Sequence, residues 1–346
     1  MPNTLYRRLL FPLLTLPEPE ASHELALKAL RLVGTVLSPP RVDPRLAVNV
    51  FGLEFPSPVG LAAGFDKNGL AVRGLAALGF GHIEVGTVTP RPQPGKPKPR
   101  LFRLKEDEAL INRLGFPSQG AAAVTGRLRK LANRGFVLGV NVGPNADSVG
   151  VEGFVESARA LAPFADYVTV NVSSPNTEGL RAMQQAGTLA ALFEALSWLE
   201  RPLLVKVALD LTEDQLAAIL DAVLAQNVAG IIAANTTIER PSDLRSHFAA
   251  EAGGLSGLPV RRRSTEMVRS IYRRTEGRLP IVAVGGVFTA EDALQKILAG
   301  ASLVQVYTGF IYEGPLAARA INRGLLRALE ARRGESVHQL VGKEVH

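Results

Sequence analysis

Eight short runs rich in valine and isoleucine, each followed by an alanine- and leucine-rich amphipathic stretch, predict an α/β chain closing into a (β/α)8 TIM barrel. Polar clusters follow almost every one of these runs, which places them on one rim. The 346 residues also suit a barrel of about 250 residues plus an appendage. The predicted appendage is an N-terminal helical hairpin over residues 1–40, with residues 41–346 forming the barrel.

The 47% hydrophobic composition, with 33 Gly and 23 Pro, describes a folded chain with ample core. Cysteine is absent, which excludes disulfides, thiolate catalysis and cysteine-held metal or iron–sulfur centres. The five histidines show no metal-ligand spacing, so no metal is expected. A net charge of +7 points to an anionic contact: nucleic acid, a lipid surface or a phosphorylated cofactor. No basic stripe interleaved with aromatics is present, and nucleic acid is not an expected partner.

In the first forty residues, helices are expected over 5–16 and 23–37. Ser22 would open the second, with Glu24 near its start and Lys28 and Arg31 towards its end. The leucine run is broken by Pro12 and stopped by Pro17-Glu18-Pro19-Glu20, too short to span a bilayer and a poor signal-peptide cleavage site. Leucines beside Arg7, Arg8, Lys28 and Arg31 fit a hairpin lying on a membrane; a helical cap packed on the main domain fits equally well.

Strands are expected over 59–62, 82–86, 137–140, 167–170, 203–207, 230–233, 281–284 and 303–306. Helices are expected over 70–78, 119–133, 152–162, 189–199, 213–226, 263–274, 290–299 and 316–331. Two excursions, 89–116 with its five prolines and 236–260, are long enough to be lids or ligand walls.

The rim reads in order Ala63-Gly64-Phe65-Asp66-Lys67-Asn68, Gly86-Thr87-Val88-Thr89, Asn141, Asn171-Val172-Ser173-Ser174-Pro175-Asn176, Lys206, Asn235-Thr236-Thr237, Gly285-Gly286 and Tyr307-Thr308-Gly309. Amides offer both donor and acceptor to a planar polar ligand, and Pro175 stiffens the turn that presents them. The glycines after the seventh and eighth strands, with Gly253-Gly254-Leu255-Ser256-Gly257, sit where barrels bind phosphate through backbone N–H groups, although such pairs also serve as plain turns. Lys206, flanked by Val205 and Val207, should enter the barrel mouth and needs a negative group opposite. Lys67 either pairs with Asp66 or acts in the site.

Leu61-Ala62-Ala63-Gly64-Phe65-Asp66-Lys67, the stretch from Gly86 through Thr87-Val88-Thr89-Pro90 to Gly95, Ile111-Asn112-Arg113-Leu114-Gly115-Phe116, Asn171-Val172-Ser173-Ser174-Pro175-Asn176-Thr177 and Gly253-Gly254-Leu255-Ser256-Gly257 resemble the dihydroorotate dehydrogenases. The likeness is to the class 2, quinone-reducing, membrane-associated branch, over nearly the whole chain. It implies FMN across the strand ends, with Ala63, Gly64 and Thr87 near the ring, Asn141 and Asn171 beside it, and Lys206 at its pyrimidine edge. Ala234 would make a backbone contact, and Gly257, Gly286, Tyr307 and Thr308 would surround the ribityl chain and phosphate. Dihydroorotate would meet Lys67, the loop Asn112-Arg113-Leu114-Gly115-Phe116, Asn171, Asn176, Asn235 and Thr236.

By the same resemblance Ser174 is the base that takes the C5 proton while a hydride leaves C6 for the flavin, and Lys206 stabilises the reduced flavin. No histidine lies near Ser174 in the sequence, so a hydroxyl and water relay is implied. The hairpin becomes the mouth of an apolar tunnel for ubiquinone or menaquinone, with His23, Arg103 and Tyr307 at its polar inner end. A monomer held peripherally on the cytoplasmic side of the cell membrane, making orotate for pyrimidine (UMP) synthesis, completes the expectation. Leu209, Ala234 and Leu258 depart from the family pattern without removing a chemical role. A class 1 enzyme using fumarate or NAD would normally have cysteine at Ser174 and lack the hairpin; a non-enzymatic membrane adaptor would have no use for Lys206, Ser174 and the asparagines together.

Overall fold

A computed structural model describes residues 5–131, 134–226, 228–333 and 336–345. The first four residues of the expected hairpin segment, and the end of the helix expected over 119–133, lie outside the described residues.

The chain begins with a π-type turn, Tyr6–Leu10, that runs into α1 (Phe11–Leu14), and α2 (Pro19–Val36) returns across the barrel. This second helix starts earlier than expected. Pro19 takes its first position, where the missing N–H would be unpaired anyway, and Ser22 does not cap but donates back to the Pro17 and Glu18 carbonyls at 3.4 and 3.3 Å. β1 (Val48–Val50) and β2 (Leu53–Phe55) then form an antiparallel hairpin that the strand pattern had not suggested.

The barrel follows as β3 (Val59–Leu61), α3 (Val72–Ala77), β4 (His82–Val88), β5 (Leu101–Leu104), β6 (Ala109–Asn112), α4 (Ala121–Leu128), β7 (Val137–Val142), α5 (Val151–Leu161), β8 (Tyr167–Asn171) and α6 (Ala186–Ala195). It continues as β9 (Leu203–Val207), α7 (Glu213–Ala225), β10 (Gly230–Ala233), β11 (Gly254–Gly257), α8 (Arg261–Thr275), β12 (Ile281–Val284), α9 (Ala290–Leu298), β13 (Leu303–Val306), α10 (Thr308–Glu313) and α11 (Ala317–Ala331). Strands β3, β4, β7, β8, β9, β10, β12 and β13 hydrogen-bond in that order into a closed parallel ring, each within two residues of its expected bounds. Both faces of these strands are buried, which is why they read as continuous apolar runs.

The two long excursions are not irregular. They supply β5, β6 and β11, which form an antiparallel three-stranded sheet with β6 in the middle. Phe102, Leu104, Ala109, Ile111 and Leu255 give this sheet a small core of its own, separate from the main one. It leaves from the carboxyl ends of β4 and β10 and therefore stands at the mouth of the barrel.

At the opposite end the ring is closed by Phe55, whose ring meets His82 edge-on at 5.3 Å. His82 is fully buried, neither ring nitrogen has a partner among the described residues, and burial pushes its pKa down to about 3. The amino-terminal hairpin docks through α2 on α3, where Gly34 and Gly74 allow backbone contact; a Cβ on Gly74 would lie 1.8 Å from the Leu30 carbonyl oxygen. Its other face leaves Leu9, Leu13, Leu16, Leu32 and Val36 exposed. No helix of the described residues is long and apolar enough to cross a membrane.

Candidate active site

A cleft opens at the carboxyl ends of the strands. One corner is bare backbone. Gly257 and Gly286 have φ of +105° and +69°, and a Cβ on either would lie 2.4 Å from backbone of Glu108 or Arg261, so glycine alone fits both places. The Ser256 and Thr308 hydroxyls meet at 2.9 Å beside them. Below, the buried Lys296 donates to Ser264 and Thr265, and Ser264 in turn donates to the Gly285 carbonyl at 2.9 Å. Burial draws the Lys296 ammonium down to about 7.

Across the cleft, β9 projects Lys206 inward. Its pKa is lowered by burial, partly offset by the charge of Glu84. No hydrogen-bond acceptor for its Nζ is found among the described residues. Glu84, fully buried on β4, accepts from Asn141 Nδ2 at 2.8 Å, Tyr167 OH at 3.1 Å and Gln305 Nε2 at 2.9 Å. Gln305 also lines the cleft, and its Oε1 is buried without a partner among the described residues. Neither Glu84 nor Gln305 was singled out from the sequence, though each interrupts an apolar strand in the same way as Lys206.

The remaining rim is a hydrogen-bonded chain. Asn235 Nδ2 donates to Ser173 Oγ, Ser173 Oγ to Asn171 Oδ1, Asn171 Nδ2 to Thr87 Oγ1, and Thr87 Oγ1 to Asn141 Oδ1, all at 2.6–2.8 Å. Asn171, Asn235 and Thr87 line the cleft, whereas Asn141 lies fully buried behind Thr87 and lines nothing.

The remaining wall brings Lys67, Asn112, Leu114, Gly115, Phe116, Ser174, Asn176 and Thr236 together. Asn176 Nδ2 donates to the Asn112 carbonyl and Oδ1 at 3.1 and 3.2 Å, and Gln93 holds the Phe116 carbonyl at 2.9 Å. Lys67 is not paired with Asp66: its Nζ donates to the Gly64 carbonyl at 2.6 Å, while Asp66 accepts from the Leu70 and Ala71 amides. Burial draws Lys67 down to about 8 and, against those backbone hydrogen bonds, pushes Asp66 up. Ser174 Oγ accepts only the Asn176 N–H, at 3.3 Å, among the described residues. Arg113 turns away from the cleft to pair with Glu251 at 2.6 Å and cover the Phe102 ring, because alternation along the extended chain sends it to the other face from Asn112.

A second cleft lies between α2 and the barrel and is lined by both His23 and Tyr307. His23 Nε2 meets the Phe65 carbonyl at 2.8 Å, and burial, with Lys67 nearby, draws its pKa down to about 4. Arg103 does not join them: its guanidinium donates to the Thr15 and Pro17 carbonyls, both at 3.1 Å, where the chain leaves α1. Among the described residues no cluster of His, Asp and Glu is placed to hold a metal ion.

A closed parallel barrel whose strand ends bring glycine backbone, buried lysine and a wall of asparagine amides into one cleft defines a barrel enzyme with its site at the carboxyl ends of the strands. Within that class the chain belongs to the dihydroorotate dehydrogenase family, whose sequence profile matches residues 45–329. It is 50% identical over 351 residues to the dihydroorotate dehydrogenase (quinone) of Roseiflexus sp. (strain RS-1), covering 96% of this chain and 97% of that one. The protein of the same description from Rhodospirillum rubrum is 46% identical, with 97% and 94% covered. The crystal structure of Eimeria tenella DHODH in complex with ferulenol superposes with a TM-score of 0.92 at 40% identity, covering 97% of this chain and 98% of that one.

Proposed function

We propose that this chain oxidises dihydroorotate to orotate with a quinone as final acceptor, through FMN bound across the strand ends. The observation that carries this reading is one cleft in which a buried lysine without an acceptor among the described residues, four asparagines, a serine hydroxyl and bare glycine backbone converge. The residues present fit the cofactor: among the described residues Gln305 Oε1 has no hydrogen-bond partner and Lys206 Nζ no acceptor, which suits a heterocycle with donors and acceptors, and the Gly257 and Gly286 corner suits a phosphate. When bound, FMN supplies a two-electron acceptor for the C6 hydride and returns the electrons to the quinone.

The protein's own contribution is position and proton transfer. Lys67 provides the cation for the dihydroorotate carboxylate, and Asn112, Asn171, Asn176 and Asn235 hold the urea-like edge by directed hydrogen bonds. Ser174 takes the C5 proton and passes it to water, since no histidine or carboxylate touches it among the described residues. Lys206 places positive charge beside the ring that becomes negative. For the acceptor, the second cleft brings His23 and Tyr307 within reach of the Gly64 loop from the hairpin side. The exposed leucines of that hairpin support a peripheral seat on a membrane, from which an apolar quinone enters. The quinone-type relatives, the hairpin and serine at 174 favour this over an enzyme with a soluble acceptor.

The test is anaerobic titration of the purified protein with dihydroorotate. Loss of the oxidised flavin spectrum, restored by ubiquinone or menaquinone but not by fumarate or NAD, is the expected outcome. Restoration by fumarate or NAD would reassign the acceptor, and an unchanged spectrum would refute the activity.

A further inference from the structure

We propose that Glu84, a carboxylate buried beneath the cleft, is the positioning residue that sets the polarity of the whole amide rim and thereby makes the cleft select carbonyl- and carboxylate-bearing ligands. This rests on the cleft being the dihydroorotate site and adds what orients its amides.

Amide side chains are reversible by nature, because oxygen and nitrogen occupy similar volumes and either end can face a neighbour. A carboxylate surrounded by donors is not reversible. Glu84 is met by Asn141 Nδ2 at 2.8 Å, Tyr167 OH at 3.1 Å and Gln305 Nε2 at 2.9 Å, and it faces the charge of Lys206. Asn141, obliged to give its nitrogen to Glu84, has only Oδ1 to show Thr87, so the Thr87 hydroxyl donates there at 2.6 Å. With its one proton committed, Thr87 can only accept, and Asn171 must present Nδ2, at 2.8 Å. That turns Asn171 Oδ1 toward Ser173, whose hydroxyl donates to it at 2.8 Å and accepts from Asn235 Nδ2 at 2.8 Å. The Thr236 N–H takes Asn235 Oδ1 at 2.8 Å.

Glu84 thus fixes the Asn141 and Thr87 links, and the Ser173 and Thr236 backbone N–H groups hold the Asn171 and Asn235 oxygens in the same sense, at 3.3 and 2.8 Å. The consequence at the cleft is specific: Asn171 and Asn235 have their oxygens bonded to protein, and each keeps one amide N–H without a protein acceptor among the described residues. The rim thus meets its ligand with donors. Reversing the chain would turn acceptors toward the same place and repel a carboxylate or ring carbonyl.

The experiment uses the FMN-loaded protein and three variants, Glu84→Gln, Ser173→Ala and Tyr167→Phe. The readouts are FMN content, thermal midpoint, orotate dissociation constant from the flavin spectrum, and KM and kcat for dihydroorotate. Ser173 does not line the cleft, so Ser173→Ala severs the chain without touching the ligand. It and Glu84→Gln are expected to raise the orotate dissociation constant and KM about tenfold, more than they change kcat, with FMN retained. Tyr167→Phe removes a donor to Glu84 outside the chain and should leave orotate affinity within about twofold. Unchanged orotate affinity in Ser173→Ala overturns the proposal even if Glu84→Gln does not fold, and an equal loss in Tyr167→Phe reduces Glu84 to a packing role. Failure of the unmodified protein to be reduced by dihydroorotate overturns the functional reading, and this inference with it.

Discussion

Lys67 and Tyr307 donate to the same oxygen, the carbonyl of Gly64, from 2.6 and 3.2 Å. Lys67 lines both clefts and Tyr307 does too, so one peptide group joins the cleft at the strand ends to the hairpin side of the protein. Phe65 continues the join, with its ring edge-on to both His23 and Tyr307 at 4.8 and 5.9 Å.

Lys67 must be charged to hold a carboxylate, and burial leaves its pKa near 8. Above that pH the free protein loses the cation, so kcat/KM for dihydroorotate should fall as pH rises through about 8. Lys67→Met should raise KM by about two orders of magnitude or more, as expected for loss of a buried charge-assisted contact, and abolish this alkaline limb. Steady-state kinetics across the pH range on both proteins is the check; a limb that survives in Lys67→Met assigns it to another group.

Ser174→Ala should keep FMN and bind orotate normally, yet reduce the flavin at least about a hundredfold more slowly with dihydroorotate, the loss expected when a general base is removed. Rapid-mixing absorbance separates turnover from binding. Near-normal reduction would leave Ser174 with no chemical role.

Glu20 on α2 grips Arg100 through contacts of 2.9–3.1 Å, and Arg100 in turn holds the Pro94 and Lys96 carbonyls at 2.7 and 2.6 Å. The Lys96 N–H reaches the Leu114 carbonyl at 2.9 Å, so the hairpin is tied to the loop 112–116 that lines the cleft. Burial raises the Glu20 pKa, but Arg100 and Lys98 outweigh that and hold it below the ordinary value. A carboxyl lowered in the folded state stabilises above its unfolded pKa, and that stability is lost as pH falls through the folded one. Glu20→Ala should cost about 1–3 kcal/mol, between exposed and buried ion pairs, and raise KM for dihydroorotate severalfold. Thermal unfolding together with kinetics tests the tie: a stability loss with unchanged KM would confine Glu20 to anchoring.

His82 predicts acid lability. Its pKa of about 3 lies well below the ordinary 6.5, so between those values the unfolded chain takes up a proton that the folded protein refuses. Acidification through that window should cost up to about 1.4 kcal/mol per pH unit from this residue. His82→Leu should flatten the dependence of the thermal midpoint on pH below about 6, leaving the smaller contribution of His23. An unchanged slope would place the acid sensitivity elsewhere.

The eight barrel strands were legible because a strand buried on both faces needs an unbroken apolar run, and 203–207 even exposes its purpose by admitting one lysine. Glu84 offered the same signal between Ile83 and Val85, but its meaning lies in partners 57, 83 and 221 residues away, which no local pattern contains. The sheet of β5, β6 and β11 was hidden for a similar reason: proline punctuation gave its first half the look of a loop, and its third strand arrives from the other excursion. Arg113 and Arg103 were assigned to the site by resemblance to the family, not by any local pattern. The fold sends one to Glu251 and the other to carbonyls at the end of α1.

Because β6 is bonded along both edges, to β5 on one side and β11 on the other, the two excursions form one slab rather than two flaps. Such a slab cannot part down its middle without breaking a ladder of backbone bonds. A lesion in either excursion is therefore felt by the other.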